Sequence, residues 1–490
     1  VRVLILSWAL IVAGTSGVRA QDLTTFPLSE ADQVAAPAKS QPAGSAPALA
    51  VAESPGRRTL TVTLGGDLGL GSHAARAEAD GARRHGAFLP WHELTAGIRP
   101  LLDGDLNFAN LETVVTASNT LPPEAKTFVF RSHPDGVRHL ADIGFNLLST
   151  ANNHAVDYGT AGMRDTLRNL DALAGEGRIL AHGGLGATNS AAGRTHVMSV
   201  RGTRVAFSAF GISTGGRAGE DRPGLMEWRV PSDVATVLEN LTGAAADVRI
   251  LSVHHGEERS VATDPDAIRK LRHQAVLAGG IDIVAGHHAH VVQGIELTQG
   301  RLIFYGLGNL LHPGMQDMGA LDMCRDYGLL ARVHLAGGPS GRLTVRAVEA
   351  IPLTDMHWRA RPMPSARATE RIHVLNHLAS ALDDPAKGAR GVRFAVRPDG
   401  TGLYCEPGAD REPGHVGDLC RTWRGASHTP VDLATRIASA CQSRELVASA
   451  SKSRPLAQQP FRLGAIPAAT PASAIPRRDP GWSRDVFAGN

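Results

Sequence analysis

The sequence predicts a layered α/β domain over about residues 59–355. Two observations carry that prediction: aliphatic runs of strand length alternate with segments of helical periodicity, and hairpin signals punctuate the alternation. Composition agrees, since 43% of the 490 residues are hydrophobic and 20% charged, enough for a sizeable core. Aromatic residues make up only 4% while glycine alone numbers 54, so that core is aliphatic.

The elements follow in order. Leu60–Leu64 alternates as a strand, and Leu106–Asn110 reads as another. Pro134–Ile143 has a helical pattern and precedes the apolar strand Phe145–Ser149. Gly159–Leu173 is a helix with Met163, Leu167 and Leu170 on one face. His196–Val200 and Val205–Phe210 flank Arg201-Gly202-Thr203 as a hairpin. Val248–Val253, Ile281–Ala285 and Leu302–Tyr305 are buried-type strands, with a helix over Asp264–Ala278 between the first two. Leu329–Leu335 and Leu343–Ala350 close the region as a second hairpin, and a helix over Ala366–Leu382 follows.

Both ends read differently. Arg2 precedes the apolar run Val3–Ala13, and Val18-Arg19-Ala20 sets small residues before Gln21, so 1–20 reads as a secretory signal peptide, or else an uncleaved anchor. Residues 21–58 read as an Ala/Pro-rich linker, 356–450 as a C-terminal extension and 451–490 as a disordered tail. The cysteines, Cys324, Cys405, Cys420 and Cys441, fit an oxidising compartment and allow three pairings; Cys405 with Cys420, across a Gly/Pro-rich loop, is preferred. The expected location is the periplasm or the extracellular envelope. A net charge of +3 without a Lys-rich block excludes an electrostatic nucleic-acid binder.

Chemistry gathers where strands end. Asp67 follows the first strand, Glu112 the second, and Asn152-Asn153-His154 the third. His254-His255-Gly256 and His287-His288-Ala289-His290 end two more. Taken singly, Asp67 could be a turn residue, Glu112 a helix-start charge and Asn153-His154 a capped turn. Together they are the residue types that bind divalent metals, at the carboxyl ends where strands of an α/β sheet converge. His288 and His290, alternate residues of an expected extended segment, would face one side as a chelating pair.

The same residues resemble the CapA, or poly-γ-glutamate capsule biosynthesis, family of calcineurin-like metallophosphoesterases. The resemblance rests on Gly66-Asp67, Asn110-Leu111-Glu112-Thr113, Phe130-Arg131, Ala151 through Gly159, His254 through Glu258, Gly286 through Gln293 and Tyr305 through Asn309, in the family's order. It implies a four-layer α-β-β-α sandwich with metals at the sheet edge. It implies Asp67, Glu112, Asn153, His254, His288 and His290 as metal ligands, with Glu112 bridging, and His154 as the catalytic histidine. Arg131, Glu258 and Asn309 are then expected around the substrate. The phosphoesterase pattern has a histidine two residues after its first aspartate, where this chain has Gly69; His73 nearby is not taken to replace it. The cofactor implied is one or two divalent ions, among Mn, Fe and Zn.

The implied function is exported surface-polymer biosynthesis, through a metal-activated water acting on a phosphoester or polymer linkage. The partners implied are an anionic polymer or phosphoester substrate, and membrane proteins of polymer synthesis or export. Two alternatives stand beside it: a non-catalytic polymer-binding component, and a periplasmic nucleotide or sugar-phosphate phosphatase.

Overall fold

A computed structural model describes residues 58–337 and 342–442. The expected signal peptide, linker and tail lie outside the described residues. In chain order the principal strands are β1 (Thr59–Leu68), β2 (Leu106–Leu111), β3 (Leu147–Ser149), β4 (Ala181–Gly183), β5 (His196–Val200), β6 (Thr203–Gly211), β7 (Val248–His254) and β8 (Ile283–His287). They continue with β9 (Ile295–Thr298), β10 (Arg301–Phe304), β11 (Asn309–Leu311), β12 (Gly328–Gly337), β13 (Leu343–Thr354), β14 (Arg361–Pro362), β15 (Ala389–Gly391), β16 (Ala395–Val396) and β17 (Gly402–Cys405). The principal helices are α1 (Pro134–Asp142), α2 (Gly159–Gly175), α3 (Pro231–Gly243), α4 (Ile268–Ala278) and α5 (Ser365–Ser380), then α6 (Val431–Gln442).

Two mixed sheets result. One has ten strands, eight in the order β16-β17-β13-β12-β1-β2-β3-β4, with β11 beside the end of β1 and β14 on β13. The other runs β5-β6-β7-β8-β10-β9-β15. The period-2 pattern of the second sheet shows how the layers stack. Phe207, Ile250, Ile283 and Phe304 enter the large core shared with the first sheet, where Phe108 meets Phe207 at 5.9 Å between ring centroids. Their neighbours Ala206, Leu251, Val284 and Ile303 face away and are covered by Val237 and Leu241 of α3 and Leu271 and Ala275 of α4. On the first sheet, all six residues of β2 are buried, and α1 and α2 add Val137, Leu140, Met163 and Leu170 to the same core. The architecture is the four-layer α-β-β-α sandwich.

Strand ends differ from the sequence reading in one consequential place. β1 does not stop at Leu64 but runs on to Leu68, past a shift in its register with β2 between Leu64 and Asp67. The run-on depends on Gly66. A Cβ there would lie 1.9 Å from the Gly308 carbonyl oxygen, and the Gly308 carbonyl in turn accepts from Asp67 N at 2.9 Å. Only a glycine lets the two backbones approach so closely. The helix expected over Asp264–Ala278 is a short turn, Pro265–Ala267, leading into α4, which is wound as a π-helix.

Beyond residue 355 the chain adds to both sheets. β15 pairs with β9, while β16 and β17 widen the first sheet beside β13. The preferred disulfide, Cys405–Cys420, is present and closes 15 residues. The second, Cys324–Cys441, fastens α6 to the segment after β11 across 117 residues. Among the described residues no helix is long and apolar enough to cross a membrane.

Gly66→Ala should cost about 3 kcal/mol or more, because backbone and not a flexible side chain blocks the added methyl. Denaturant unfolding of the variant checks this, and a cost under about 1 kcal/mol would show that the β1–Gly308 contact yields easily.

Candidate metal centre

The parallel strands of the two sheets finish at a common edge. β1 through β4 run parallel in one sheet, and β6, β7, β8 and β10 run parallel in the other. Each functional side chain sits at or just past one of these ends, as open α/β sheets dictate. Asp67 lies near the end of β1, Glu112 follows β2, and Asn153 and His154 open a 3₁₀ turn after β3. His254 ends β7, His287 ends β8, and Asn309 begins β11.

Two groups of donors assemble there. Asp67, Glu112 and His290 form one, and Glu112, His254 and His288 the other; within each, the donor atoms lie within 4.8 Å of one another. Glu112 belongs to both. Its Oε1 is 3.4 Å from His254 Nε2 and its Oε2 is 3.9 Å from His290 Nδ1. Asn153 joins the second group, with Oδ1 2.8 Å from His254 Nε2. Asp67 Oδ2 lies 3.2 Å from His290 Nδ1. The gathered donors fit a divalent cation. Glu112 is fully buried, yet neither carboxylate oxygen has a hydrogen-bond partner, and His288 Nδ1 has none either. Such orphaned acceptors are costly unless something positive occupies the space between them.

Electrostatics point the same way. Burial, and then the Asp67 charge, pushes the Glu112 carboxyl well above its usual range. Burial would raise Asp67 too, but hydrogen bonds and charge from His287 and His290 hold it well below. Burial works against the His290 proton, yet Glu112 and Asp67 outweigh it and carry the ring up to about 10. His288, by contrast, is pushed by burial down to about 3, and His254 well below its ordinary value. Neutral imidazoles beside two carboxylates are ready ligands.

His154 stands slightly apart. Its Nδ1 is 2.7 Å from Asp157 Oδ2, and its Nε2 is 4.0 Å from Glu112 Oε1. Asp157 also accepts from Lys126 Nζ and from Phe130 N, so the carboxylate is held in place. That contact assigns the Nδ1–H tautomer and turns the Nε2 lone pair towards the cluster.

The structure thus brings together Asp67, Glu112, Asn153, His154, His254, His288 and His290. The three outer residues expected around the substrate fare differently. Asn309 touches the cluster, its Oδ1 2.9 Å from His290 Nδ1, and so orients that ring. Glu258 is exposed and acts on Glu112 and His290 through its charge. Arg131 donates from Nε to Tyr158 Oη and from a terminal nitrogen to the Ser118 carbonyl, stacked 4.0 Å over the Tyr158 ring. It braces Tyr158.

The expectation that His288 and His290 project together from an extended segment is corrected. Their φ angles are +89° and +55°, the left-handed region, and the two rings join different donor groups. A bend held against that backbone strain, not strand alternation, aims them. Sequence reasoning also passed over residues that orient the cluster. The Asn110 amide donates to Asp67 Oδ1 at 2.9 Å and lies 3.2 Å from His254 Nδ1. Asn152 in turn donates to Asn110 Oδ1 and to the Leu111 carbonyl. Both asparagines sit inside the quoted motifs, beside the charged residues that drew attention. His287 and His312 are buried here as well.

A family model described as bacterial capsule synthesis protein PGA_cap matches residues 61–313, a span that includes the whole cluster. The PGA biosynthesis protein CapA of Bacillus subtilis (strain 168) is 31% identical over 264 residues, 52% of this chain and 62% of that protein. The chain therefore spans less than two thirds of that relative. A probable polyglutamine synthesis accessory protein of Mycobacterium tuberculosis is 34% identical over 321 residues, 63% of this chain and 79% of that one. The capsule biosynthesis protein CapA of Bacillus anthracis is 26% identical over 342 residues, covering 67% of this chain and 74% of that one.

Glu112→Gln should separate metal binding from folding. A raised carboxyl takes up its proton more readily in the folded state, so in metal-free protein Glu112 costs stability progressively as pH rises above its ordinary 4.5. Without metal, the glutamine variant should match or exceed the parent, by about 1–3 kcal/mol near neutral pH. Added Mn or Zn should raise the melting temperature of the parent and not of the variant. Equal metal-induced shifts in both would remove Glu112 from the centre.

Proposed function

This chain belongs to the bacterial capsule synthesis protein PGA_cap family, and we propose that it is an exported metal-dependent hydrolase of surface-polymer biosynthesis. The observation that carries the reading is a buried, unpartnered Glu112 shared by two donor groups, with the Asp157-oriented His154 beside it. Asp67, Glu112, Asn153, His254, His288 and His290 would hold one or two divalent ions, of Mn, Fe or Zn. An ion bound there supplies Lewis-acid polarisation of a phosphoryl or acyl oxygen and a lowered pKa for the attacking water.

The chain's own groups do the rest. Burial depresses the His154 pKa below its ordinary 6.5, so the ring is neutral near neutral pH and its Nε2 can accept a proton from the attacking water. The same Nε2–H then returns that proton to the departing oxygen or nitrogen of the cleaved bond. Asp157 holds the ring in the required tautomer and stabilises the imidazolium between the two transfers. Acceptable substrates are a phosphoester or the amide of a γ-linked anionic polymer. Two disulfides support operation outside the reducing cytosol; the place proposed is the cell envelope, beside polymer-synthesis or export proteins.

Assays of the metal-loaded chain on a phosphodiester and on poly-γ-glutamate test the reading. His154→Ala should lower kcat by about 10²–10⁴ with metal content unchanged. Activity should fall as pH drops through the depressed His154 pKa, where the Nε2 lone pair is lost. Asp157→Asn removes a carboxylate that raises that pKa, so its acid limb should move to lower pH. Full metal occupancy with no turnover of either substrate class would overturn the hydrolase.

A further inference from the structure

His312 lies one residue past β11 at the same edge, and no step above uses it. The side chain is fully buried, and neither ring nitrogen has a hydrogen-bond partner. Its backbone is pinned, since His312 N donates to the Met356 carbonyl at 2.7 Å and the preceding carbonyl, of Leu311, accepts from Gly69 N at 2.9 Å. The ring stands edge-on to Phe130 at 4.7 Å and to His290 at 6.3 Å, and it feels the charges of His290, His154 and Asp67. A buried imidazole with both nitrogens unsatisfied calls for a binding partner.

Two features say which partner. The donor groups are unequal: Asn153 makes the His254 side a set of four with Glu112 and His288, whereas Asp67, Glu112 and His290 number three. The space at position 69 also belongs to this ring. A Cβ on Gly69 would lie 3.0 Å from His312 Nε2 and 3.2 Å from Cε1, so glycine is what gives the imidazole room.

We propose that His312 is the fourth donor on the Asp67–Glu112–His290 side, an imidazole ligand for a divalent ion brought in from β11 and not from β1. The proposal rests on the metal-centre reading. The His312 ring nitrogens lie outside the tight three-residue group, so ligation requires the side chain to turn from beside Gly69 towards it.

The test counts ions. Wild-type protein, His312→Ala and the swap Gly69→His with His312→Ala are stripped, titrated with Zn or Mn, and followed by calorimetry and by elemental analysis. The wild type should bind two ions per chain. His312→Ala should keep the ion on the His254 side and weaken the other by tenfold or more, a loss of the size expected for a metal-site residue. The swap, which returns an imidazole to the same space, should regain most of that loss. Loss of a buried ring packed on Phe130 should by itself lower the metal-free melting temperature of His312→Ala; a fall without change in ion affinity would mark a packing residue and overturn the proposal. Unchanged affinity at both ions would overturn it too, and leave the metal centre standing. A wild type that binds no ion would instead bring down the metal-centre reading, and this one with it. Should His312→Ala fail to fold, His312→Gln keeps the side chain's bulk and gives the same count.

Discussion

A carboxylate sealed from water without a hydrogen-bond partner is the constraint on which the rest of this site depends. Glu112 faces Asp67 across the donor groups, and burial leaves neither of its oxygens an acceptor's normal company. Protein groups answer this only in part: His290 carries the neighbouring positive charge, while His254 and His288 stay neutral. An arrangement so unfavourable when empty is suited to bind a cation tightly, because every group it would contact is already desolvated and aimed.

Holding such a cluster requires rigid support, and the sandwich provides it. Strands from two sheets end at one edge, so each donor stands on, or a few residues past, a strand packed in the core. The orienting contacts are amides and carboxylates one step back, Asn110 for Asp67, Asn309 for His290 and Asp157 for His154. Where regular structure could not aim a side chain, the backbone is strained, as at His288 and His290. Gly66 and Gly69 supply the complementary device, empty space where a side chain would collide.

The C-terminal region contributes more than an appendage would. Its strands complete both sheets, and Cys324–Cys441 ties α6 to the chain just beyond the cluster. Burial of β17 beside β13 makes this segment part of the same packed unit that positions the edge.

Read alone, the sequence determined the alternation of strands and helices and the residue types gathered near the strand ends, but not that β1 runs on past Asp67. Those signals are local: hydrophobic period for the elements, and a polar residue breaking an apolar run for the ends. It favoured Cys405–Cys420 among three possible pairings, because the two flank a short turn-rich loop, and the structure holds that bond. What needed three dimensions was every relation between distant segments. Which sheet edge the donors share, how Glu112 falls between two groups, why His288 and His290 part company, and that His312 occupies the space left by Gly69 are all set by chain crossings of tens to hundreds of residues. Periodicity carries no information across such separations, and packing decides them.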